Sequence, residues 1–348
     1  LIEGESIDQV LTVGETVQAD TATFSTVSVS VFNTTIYQSG SGNEKTITTG
    51  IDNTDKSLVW IKSTTLGYHH KLMDSERGSS YPALSSDNAN PETGDAGIKE
   101  LTSDGFVLHG GGYDKTNDNN NNEYVAWNFR AAPGFFDIQT YTGISEGSAS
   151  QSQAISHDLG SEPGMIIVKN LDAGDSWFVY HKDLADNTWI RLNEDWAKSG
   201  PLDGVFPSTQ TSTEFNIGAD MSINRLNDNY VAYLFADTPG KIKCGTYTGN
   251  GGPNSVDAGI TGGCAWAMVK NTSNSGDWSI SDSQRYYGND HLYANNNNQE
   301  DSSPYFHVND NGFGLNTSDA NWNAPGDKYI YVAIAENAMG DITTQSIA

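Results

Sequence analysis

The stretch YVAWNFRAAPGFFDIQTYTG, residues 124–143, decides how the chain is organised, because its pattern returns at residues 230–249 as YVAYLFADTPGKIKCGTYTG. A third Tyr-Val-Ala triplet begins at Tyr331, close to the C-terminus. The triplets start at residues 124, 230 and 331, so successive copies are 106 and 101 residues apart. A period of this size indicates a tandem repeat of whole domains, since about 105 residues can form a core of their own.

Two further markers recur in the same order and at nearly the same period. Short apolar runs end in a lysine at Lys62, Lys169 and Lys270. A tyrosine followed within three residues by glycine occurs at Tyr37, Tyr141 and Tyr247. Three markers that agree predict a triplication, with repeats over residues 37–140, 141–246 and 247–348 after an N-terminal segment of residues 1–36.

Each repeat consists of short apolar runs separated by turn residues. The chain contains 36 glycines, and 36% of its residues are hydrophobic, with 10% aromatic. This composition suits short strands that bury one face and fill a core with large rings. Almost no stretch has the periodicity of an amphipathic helix. We therefore predict an all-β protein of three tandem antiparallel β-sandwiches, with a jelly-roll-like or lectin-like strand arrangement.

The two ends of the chain differ from the repeats. Residues 23–32 alternate between polar and apolar side chains, which predicts a strand with one exposed face. Such a strand needs a partner, so we interpret residues 1–36 as an attachment or oligomerisation segment. The residues after Glu336 are polar, and we predict a loose tail. Since the chain begins at Leu1 and has no signal-peptide pattern, we expect it to be a piece of a longer or processed protein.

The charge balance argues against one class of partner. The chain carries 44 acidic and 18 basic residues, a net charge of −26, which repels the phosphates of nucleic acid. No apolar run reaches the roughly 20 residues that a membrane helix needs, so we expect no membrane insertion. The two cysteines, Cys244 and Cys264, could face each other on paired strands. They are too few for a disulfide framework, and we predict two buried free thiols.

One polar loop contains the oxygen ligands that calcium accepts. The tract from Asp114 to Glu123 includes Asp118 and several asparagines. It lacks the glycine that gives an EF-hand loop its sharp turn, so the motif does not match. A solvated loop is the simpler interpretation. Asp114, Asp118 and Glu123 remain the candidate residues for a structural calcium ion, and we predict no other cofactor.

No motif predicts catalysis. The sequence has no metalloprotease, serine-hydrolase or phosphate-binding loop pattern. Two carboxylates a few ångströms apart would suffice for a glycosidase, and 44 acidic residues leave that alternative open. The densest chemical cluster is His69, His70, Asp74 and Arg77, which we interpret as a hydrogen-bonded loop packed across a sheet. We predict that the protein is not an enzyme.

Aromatic residues beside Asn and Asp are typical of sugar-binding surfaces, where rings stack on sugar faces and amides hold hydroxyl groups. Four tryptophans lie on predicted strands, and we expect them in the core: Trp60, Trp127, Trp177 and Trp266. The aromatic residues of loop-rich stretches are the candidate ligand contacts: Trp189, Trp196, Tyr286, Tyr287, Tyr293 and Trp322. Loop aromatics also pin loops, so we expect about one of these six to contact a ligand.

The motifs of the first repeat resemble a known family. They are Leu58-Val59-Trp60-Ile61-Lys62, His70-x-Leu72-x-Asp74-Ser75-x-Arg77-Gly78, Asp104-Gly105-Phe106 and Tyr124-Val125-Ala126-Trp127. Together they are similar to a β-rich module of unknown function found in tail-fibre-like and other virion proteins of tailed phages, especially marine and cyanobacterial phages. The resemblance covers residues 37–340. The second repeat lacks the Arg-Gly pair, and the third lacks the whole His-Leu-Asp-Arg-Gly segment.

The resemblance implies a structural protein on the virion surface and supplies no catalytic residues. Our main hypothesis is a non-enzymatic fibre or appendage that adheres to host-surface glycan through several weak sites, whose avidity replaces a deep pocket. Other virion proteins would be its partners, and we expect a homo-oligomer, with a trimer as the first choice. The alternatives are a capsid decoration or head-fibre protein that binds neighbouring virion subunits, a glycan-degrading tailspike, and a bacterial adhesin repeat.

Overall fold

The fold is all-β, which confirms the predicted class. A computed structural model describes residues 22–347, apart from residues 41, 79, 95–96, 112–114, 149, 202–203, 208 and 286–289. Within these residues the chain forms 24 strands, named β1 to β24 in chain order, and one short helix, α1 (Met221–Asn224). Every pairing between these strands is antiparallel.

The first unit, residues 32–130, contains a four-stranded and a three-stranded sheet. Its strands are β2 (Phe32–Gln38), β3 (Lys45–Thr48), β4 (Ser57–Ser63), β5 (Lys71–Asp74), β6 (Ile98–Thr102), β7 (Gly105–Leu108) and β8 (Glu123–Arg130). The larger sheet has the order β2-β8-β4-β5, and the smaller sheet has the order β3-β7-β6. The first strand of the unit therefore lies beside its last.

The second unit, residues 136–235, has the same larger sheet with one strand added. Its strands are β9 (Phe136–Thr142), β10 (Gln153–Ser156), β11 (Met165–Asn170), β12 (Phe178–His181), β13 (Ile190–Arg191), β14 (Glu214–Ile217) and β15 (Asn229–Phe235). The larger sheet has the order β9-β15-β11-β12-β13, and β10 pairs with β14 in the smaller one. In both units, the first strand of the unit in sequence lies at the edge of the larger sheet, next to the last strand. The third and fourth strands follow in that order.

The third unit, residues 242–335, has this order again. Its strands are β16 (Ile242–Thr248), β17 (Pro253–Asp257), β18 (Cys264–Asn271), β19 (Ser279–Asp282), β20 (His291–Tyr293), β21 (Phe306–Val308), β22 (Gly312–Asn316) and β23 (Lys328–Ala335). The sheets are β16-β23-β18-β19-β20 and β17-β22-β21. The repeat boundaries placed at Tyr37, Tyr141 and Tyr247 fall inside the first strand of each unit.

Alternation along the closing strand of the first and third units separates two hydrophobic layers. In β8, Val125, Trp127 and Phe129 face the centre of the molecule, whereas Tyr124 and Ala126 face the smaller sheet of the same unit. Successive side chains of a strand point to opposite faces, so a continuous apolar run is buried on both sides. The seam that dominates the sequence pattern therefore begins with a strand that is buried on both faces.

The three larger sheets share one core. The Phe129 ring lies 5.9 Å from the Phe235 ring of the second unit and 5.8 Å from the Trp266 ring of the third, measured between ring centroids. One cluster of buried residues contains side chains from all three units. The tryptophans predicted to lie in the core are all buried: Trp60, Trp127, Trp177 and Trp266.

Polar contacts join the units in a closed ring. The residue before the fourth strand of each unit makes an equivalent contact with a neighbouring unit. Trp177 of the second unit donates its indole N–H to carbonyl oxygens of the first, and Trp278 of the third donates to a carbonyl of the second at 2.8 Å. His70 Nε2 of the first unit lies 2.9 Å from a carbonyl oxygen of the third. The first and third units are therefore neighbours, although they are farthest apart in sequence.

The third unit corrects one sequence alignment. Tyr124 and Tyr230 are the second residues of β8 and β15, and the second residue of β23 is Tyr329 rather than Tyr331. Stacked tyrosine pairs give the same register in each unit: Tyr37 with Tyr124, Tyr141 with Tyr230, and Tyr247 with Tyr329. The third Tyr-Val-Ala triplet is thus shifted by two residues. A shift of two keeps each side chain on the same face of the strand, so the sequence pattern tolerates it.

The two ends of the chain form a ribbon. β1 (Ala22–Ser30) pairs along its length with β24 (Met339–Ile347). The alternating strand predicted near the N-terminus is present, but it ends before a separate strand that begins at Phe32. The loose tail predicted after Glu336 is wrong over β24, because β1 supplies its backbone groups with hydrogen-bond partners.

Candidate binding groove

The third unit has a groove on the outer face of its smaller sheet. In the central strand β22, Phe313 and Leu315 face the core, so Gly312 and Gly314 face outward. A Cβ atom on Gly314 would lie only 2.4 Å from Nε2 of His307, its neighbour on β21. Gly314 lets the imidazole lie directly against the backbone of β22. The His307 ring therefore forms part of the groove surface.

Neutral residues line this groove, which has a volume of about 690 Å³ and falls in the size range of small-ligand sites. The lining residues are Pro253, Asn254, Ser255, Pro304, His307, Asn309, Gly314, Leu315 and Asn316. The set combines amide, hydroxyl and imidazole groups with two prolines and contains no carboxylate. It can hold hydroxyl groups by hydrogen bonds, but it contains no acid and base pair for hydrolysis.

The side chains at the rim retain free hydrogen-bonding capacity. Asn309 Nδ2 makes only a long contact, 3.5 Å, with Ser255 Oγ across the groove. Asn316 is exposed, and its backbone N–H donates to the Tyr305 carbonyl oxygen at 3.0 Å. This bond holds the backbone of Tyr305, a residue that is 42% exposed, next to a lining residue. Tyr305 is also adjacent in sequence to the lining residue Pro304.

His307 is neutral at physiological pH. Burial lowers the pKa of its imidazole, and its Nδ1 atom has no hydrogen-bond partner among the described residues. A neutral imidazole can donate from one nitrogen and accept at the other. His307 therefore adds hydrogen-bonding capacity without adding charge.

The groove is confined to the third unit. The positions that correspond to Gly314 on the central strands are Val107 on β7 and Asn216 on β14, and both carry side chains that stand on the outer face. In the second unit, Asn216 Nδ2 also donates to the Thr209 carbonyl oxygen, so a loop covers this face. The sequence signal for the groove is Gly312-Phe313-Gly314, whose alternate glycines leave the outer face of β22 without side chains.

The predicted ligand-contacting aromatics lie in different environments. Trp189 and Trp322 are only 5% and 3% exposed and have little surface to offer a ligand. Trp196 is 54% exposed, and the Arg191 guanidinium covers one face of its ring at 5.3 Å from the centroid. Tyr286 and Tyr287 lie outside the described residues.

Two of the predicted aromatics support the groove from behind. Tyr293 is partly buried, and its hydroxyl lies 3.0 Å from His291 Nε2. Its ring stacks on Trp322 with centroids 6.3 Å apart, and Trp322 in turn lies 6.0 Å from Tyr305. Trp322 and Tyr293 therefore form a platform under Tyr305, the exposed ring that the sequence analysis did not select.

The predicted calcium loop is a hydrogen-bonded loop. Asp118 accepts hydrogen bonds from the Ser39 hydroxyl at 2.6 Å and from the Asn122 side chain. These donors hold the pKa of the Asp118 carboxyl below its usual value, although burial opposes them. Glu123 accepts from the Thr64 hydroxyl at 3.3 Å. Asp114 lies outside the described residues, and the described ones contain no group of three or more His, Cys, Asp or Glu that could hold a metal ion.

The cluster around Asp74 and Arg77 joins two units. Asp74 accepts from Arg77 Nε at 2.7 Å and from the Tyr233 hydroxyl of the second unit at 2.7 Å. The same pair occurs in the third unit, where Asp282 accepts from Arg285 Nε at 2.7 Å. The prediction that the third repeat lacks the whole His-Leu-Asp-Arg-Gly segment is therefore wrong. The histidine and glycine are replaced, but the ion pair of Asp282 with Arg285 is present.

Comparison with known proteins identifies the family. Residues 28–338 match a domain of unknown function, DUF7483. The chain belongs to this family. The DUF7483 domain begins in β1 and ends after β23, so it includes all three units and the groove. No curated protein and no solved structure matches the chain. Among the described residues, no helix is long and apolar enough to cross a membrane.

Proposed function

We propose that this chain is a non-enzymatic structural protein on the surface of a tailed-phage virion, where it adheres to neutral glycan of the host. The observation that carries the adhesive role is the groove of the third unit. Its walls offer amide, hydroxyl and imidazole groups, and Tyr305 follows the lining residue Pro304. Sugar hydroxyl groups are bound by such side chains, and sugar faces stack on such rings.

The charge pattern favours a neutral sugar. The net charge of −26 repels anionic ligands, and the groove has no basic side chain to compensate. Burial lowers the pKa of His307, so this residue does not supply a positive charge at neutral pH. A neutral saccharide needs hydrogen bonds and stacking only. The lining offers the hydrogen bonds, and Tyr305, next in sequence to the lining residue Pro304, is the ring that we propose stacks on the sugar.

The residues that line the groove are consistent with binding a glycan without hydrolysing it. A glycosidase places two carboxylates about 5 to 9.5 Å apart on either side of the scissile bond. The lining set of this groove contains none. The tailspike alternative would need an acidic pair elsewhere on the surface.

The three units are, in our proposal, copies of one sandwich repeat. Their larger sheets have the same strand order, and the tyrosine pairs have the same register. A third correspondence is a fully buried asparagine whose side-chain oxygen accepts a backbone N–H from the loop after the first strand: Asn117 from Gly40, Asn224 from Ile144 and Asn323 from Asn250. A tandem array of this kind lets one copy diverge into a binding site while the others keep the scaffold.

The adhesive role is tested by binding of the full chain to an array of neutral and anionic glycans. We expect retention on neutral glycans, no release of reducing ends, and no effect of a metal chelator. Retention only on anionic glycans, or on none, would contradict the proposal. Release of reducing ends would favour the glycan-degrading tailspike.

The virion location rests on the sequence resemblance and has its own test. Immunogold microscopy of purified virions with antibody against this chain should label tail appendages. Label over the capsid would favour a decoration or head-fibre role, in which the partners are neighbouring subunits. Virions without label would refute the virion role and favour the adhesin alternative.

A further inference from the structure

The ribbon formed by β1 and β24 has unpaired edges. Among the described residues, no strand other than β24 pairs with β1. The base of the ribbon is anchored, since a Cβ atom on Gly340 would lie 2.4 Å from Ala132. Farther out, Val27 is 42% exposed. Nine-residue strands are about 30 Å long, and a two-stranded ribbon is at best marginally stable in water.

Alternate backbone N–H groups of β1 point to the edge of this strand that faces away from β24. Val31 donates its N–H to the Ala338 carbonyl oxygen at 3.1 Å, on the side of β24. The direction of the N–H group alternates along an antiparallel strand, so odd-numbered residues of β1 donate towards β24. Even-numbered residues, including Thr26 and Ser28, therefore donate outward. Only another extended strand offers carbonyl groups at the matching spacing.

The sequence of β1 does not protect this edge. Exposed edges in natural sheets are blunted by lysine, proline or bulges. No charged residue occurs from Thr21 to Asn43, in a chain that carries 44 acidic residues, and β1 contains neither proline nor glycine. The edge of β24, by contrast, contains Asp341. The β1 edge is the neutral part of a strongly acidic molecule.

We propose that β1 pairs with β1 of a second copy of this chain, antiparallel across a twofold axis, to form the four-stranded sheet β24-β1-β1′-β24′. The neutral strand can pair with itself in any register without opposing like charges, whereas the acidic bodies repel each other and stay apart. Four strands exceed the number needed for independent stability, and a twofold interface satisfies both edges at once. The dimer carries two grooves, but its formation does not depend on what they bind.

Sedimentation velocity of the full chain and of Ser28→Pro tests this interface. Proline at position 28 removes an outward N–H and leaves the β1–β24 hydrogen bonds in place. Each dimer loses two hydrogen bonds, so we expect its dissociation constant to rise by about 10- to 100-fold. Ser28→Ala keeps the N–H and should dimerise like the unchanged chain. Ser28→Lys should also weaken the dimer, because lysine on an exposed edge strand opposes pairing with another strand.

Three outcomes would overturn the proposal. The first is a monomer throughout the micromolar range. The second is a trimer. The third is any assembly that Ser28→Pro and Ser28→Lys both leave unchanged. Glycan binding by a monomer would refute the dimer and leave the proposed function intact.

Discussion

Trp127 of the first unit donates its indole N–H to the Asp282 carboxylate of the third unit at 3.0 Å. The two residues are 155 positions apart in sequence, and both are fully buried. The Trp127 ring also lies 6.4 Å from Trp266 of the third unit. This contact closes the ring of units, so it couples the stability of the N-terminal unit to that of the C-terminal one.

Removing this bond should destabilise the whole protein. Trp127→Phe keeps most of the aromatic surface but loses the indole N–H, which leaves Asp282 with one donor fewer. We expect the free energy of unfolding to fall by about 1–3 kcal/mol beyond the cost of the smaller ring. Trp189→Phe is the matched control, because the Trp189 indole N–H has no partner among the described residues. Equal losses in urea titrations of the two variants would show that the bond contributes nothing.

The lysines that mark the sequence repeat are buried between units. Burial lowers the pKa of each ammonium group to about 8: Lys62, Lys169 and Lys270. Lys169 Nζ donates to the Ala89 carbonyl oxygen of the first unit at 3.2 Å, and Lys270 Nζ donates to the Asp195 carbonyl oxygen of the second at 2.8 Å. Lys169 and Lys270 therefore satisfy backbone oxygens of a neighbouring unit at the cost of their own hydration, whereas Lys62 Nζ donates to the Ser63 and Leu66 carbonyl oxygens of its own unit.

The three buried lysines should add stability as the pH rises from 8 to about 10, whereas the two buried thiols, which ionise at about pH 8.5 once unfolded, remove stability over the same window. In this window the folded lysines lose their protons while unfolded lysines, with a pKa of about 10.4, keep them, so the unfolded chain binds more protons at these lysines. Each lysine contributes at most about 1.4 kcal/mol per pH unit. Above this window unfolded tyrosines ionise first and also remove stability, because burial raises the pKa of Tyr331 to about 12.

Lys169→Met separates two effects of a buried lysine on stability: its titration between pH 8 and 10, and its hydrogen bonds to backbone carbonyl oxygens. It should lower the slope of stability against pH between 8 and 10 by at most about 1.4 kcal/mol per pH unit, and it should lower stability at pH 7 by about 1–3 kcal/mol, because the Ala89 carbonyl oxygen loses its donor. Urea unfolding at several pH values measures both quantities. The same slope between pH 8 and 10 in Lys169→Met and in the unchanged protein would contradict the assigned protonation.

Both cysteines should be unreactive in the folded state. Cys244 lies on β16 and Cys264 on β18, with β23 between them, so they do not face each other on paired strands. Burial raises the pKa of the Cys264 thiol to about 12 and also raises that of Cys244. A thiol-specific reagent should find no reactive group in native protein and two per chain in urea without reductant. Rapid labelling of native protein, or fewer than two thiols in urea, would contradict the burial.

The sequence predicted the local features and missed those that depend on the assembled ring. Alternation and turn residues located strands such as β8, because these signals lie within a few residues. The contact of Trp127 with Asp282 joins segments that are distant in sequence, so no local sequence pattern predicts it. The groove was not predicted, because Gly312 and Gly314 indicate a groove only when β22 is known to be the middle strand of its sheet. Trp189 and Trp322 look like loop residues in sequence but are buried by neighbouring elements.

The most direct measurement for the groove is the affinity of a neutral glycan, selected on the array, for His307→Ala and Asn316→Ala by titration calorimetry. Each variant removes one polar group of the lining, and we expect each to weaken binding by about 10-fold or more. Asn216→Ala, the corresponding face of the second unit, is the control and should bind like the unchanged protein. Full affinity in both groove variants would place the glycan elsewhere and contradict the account.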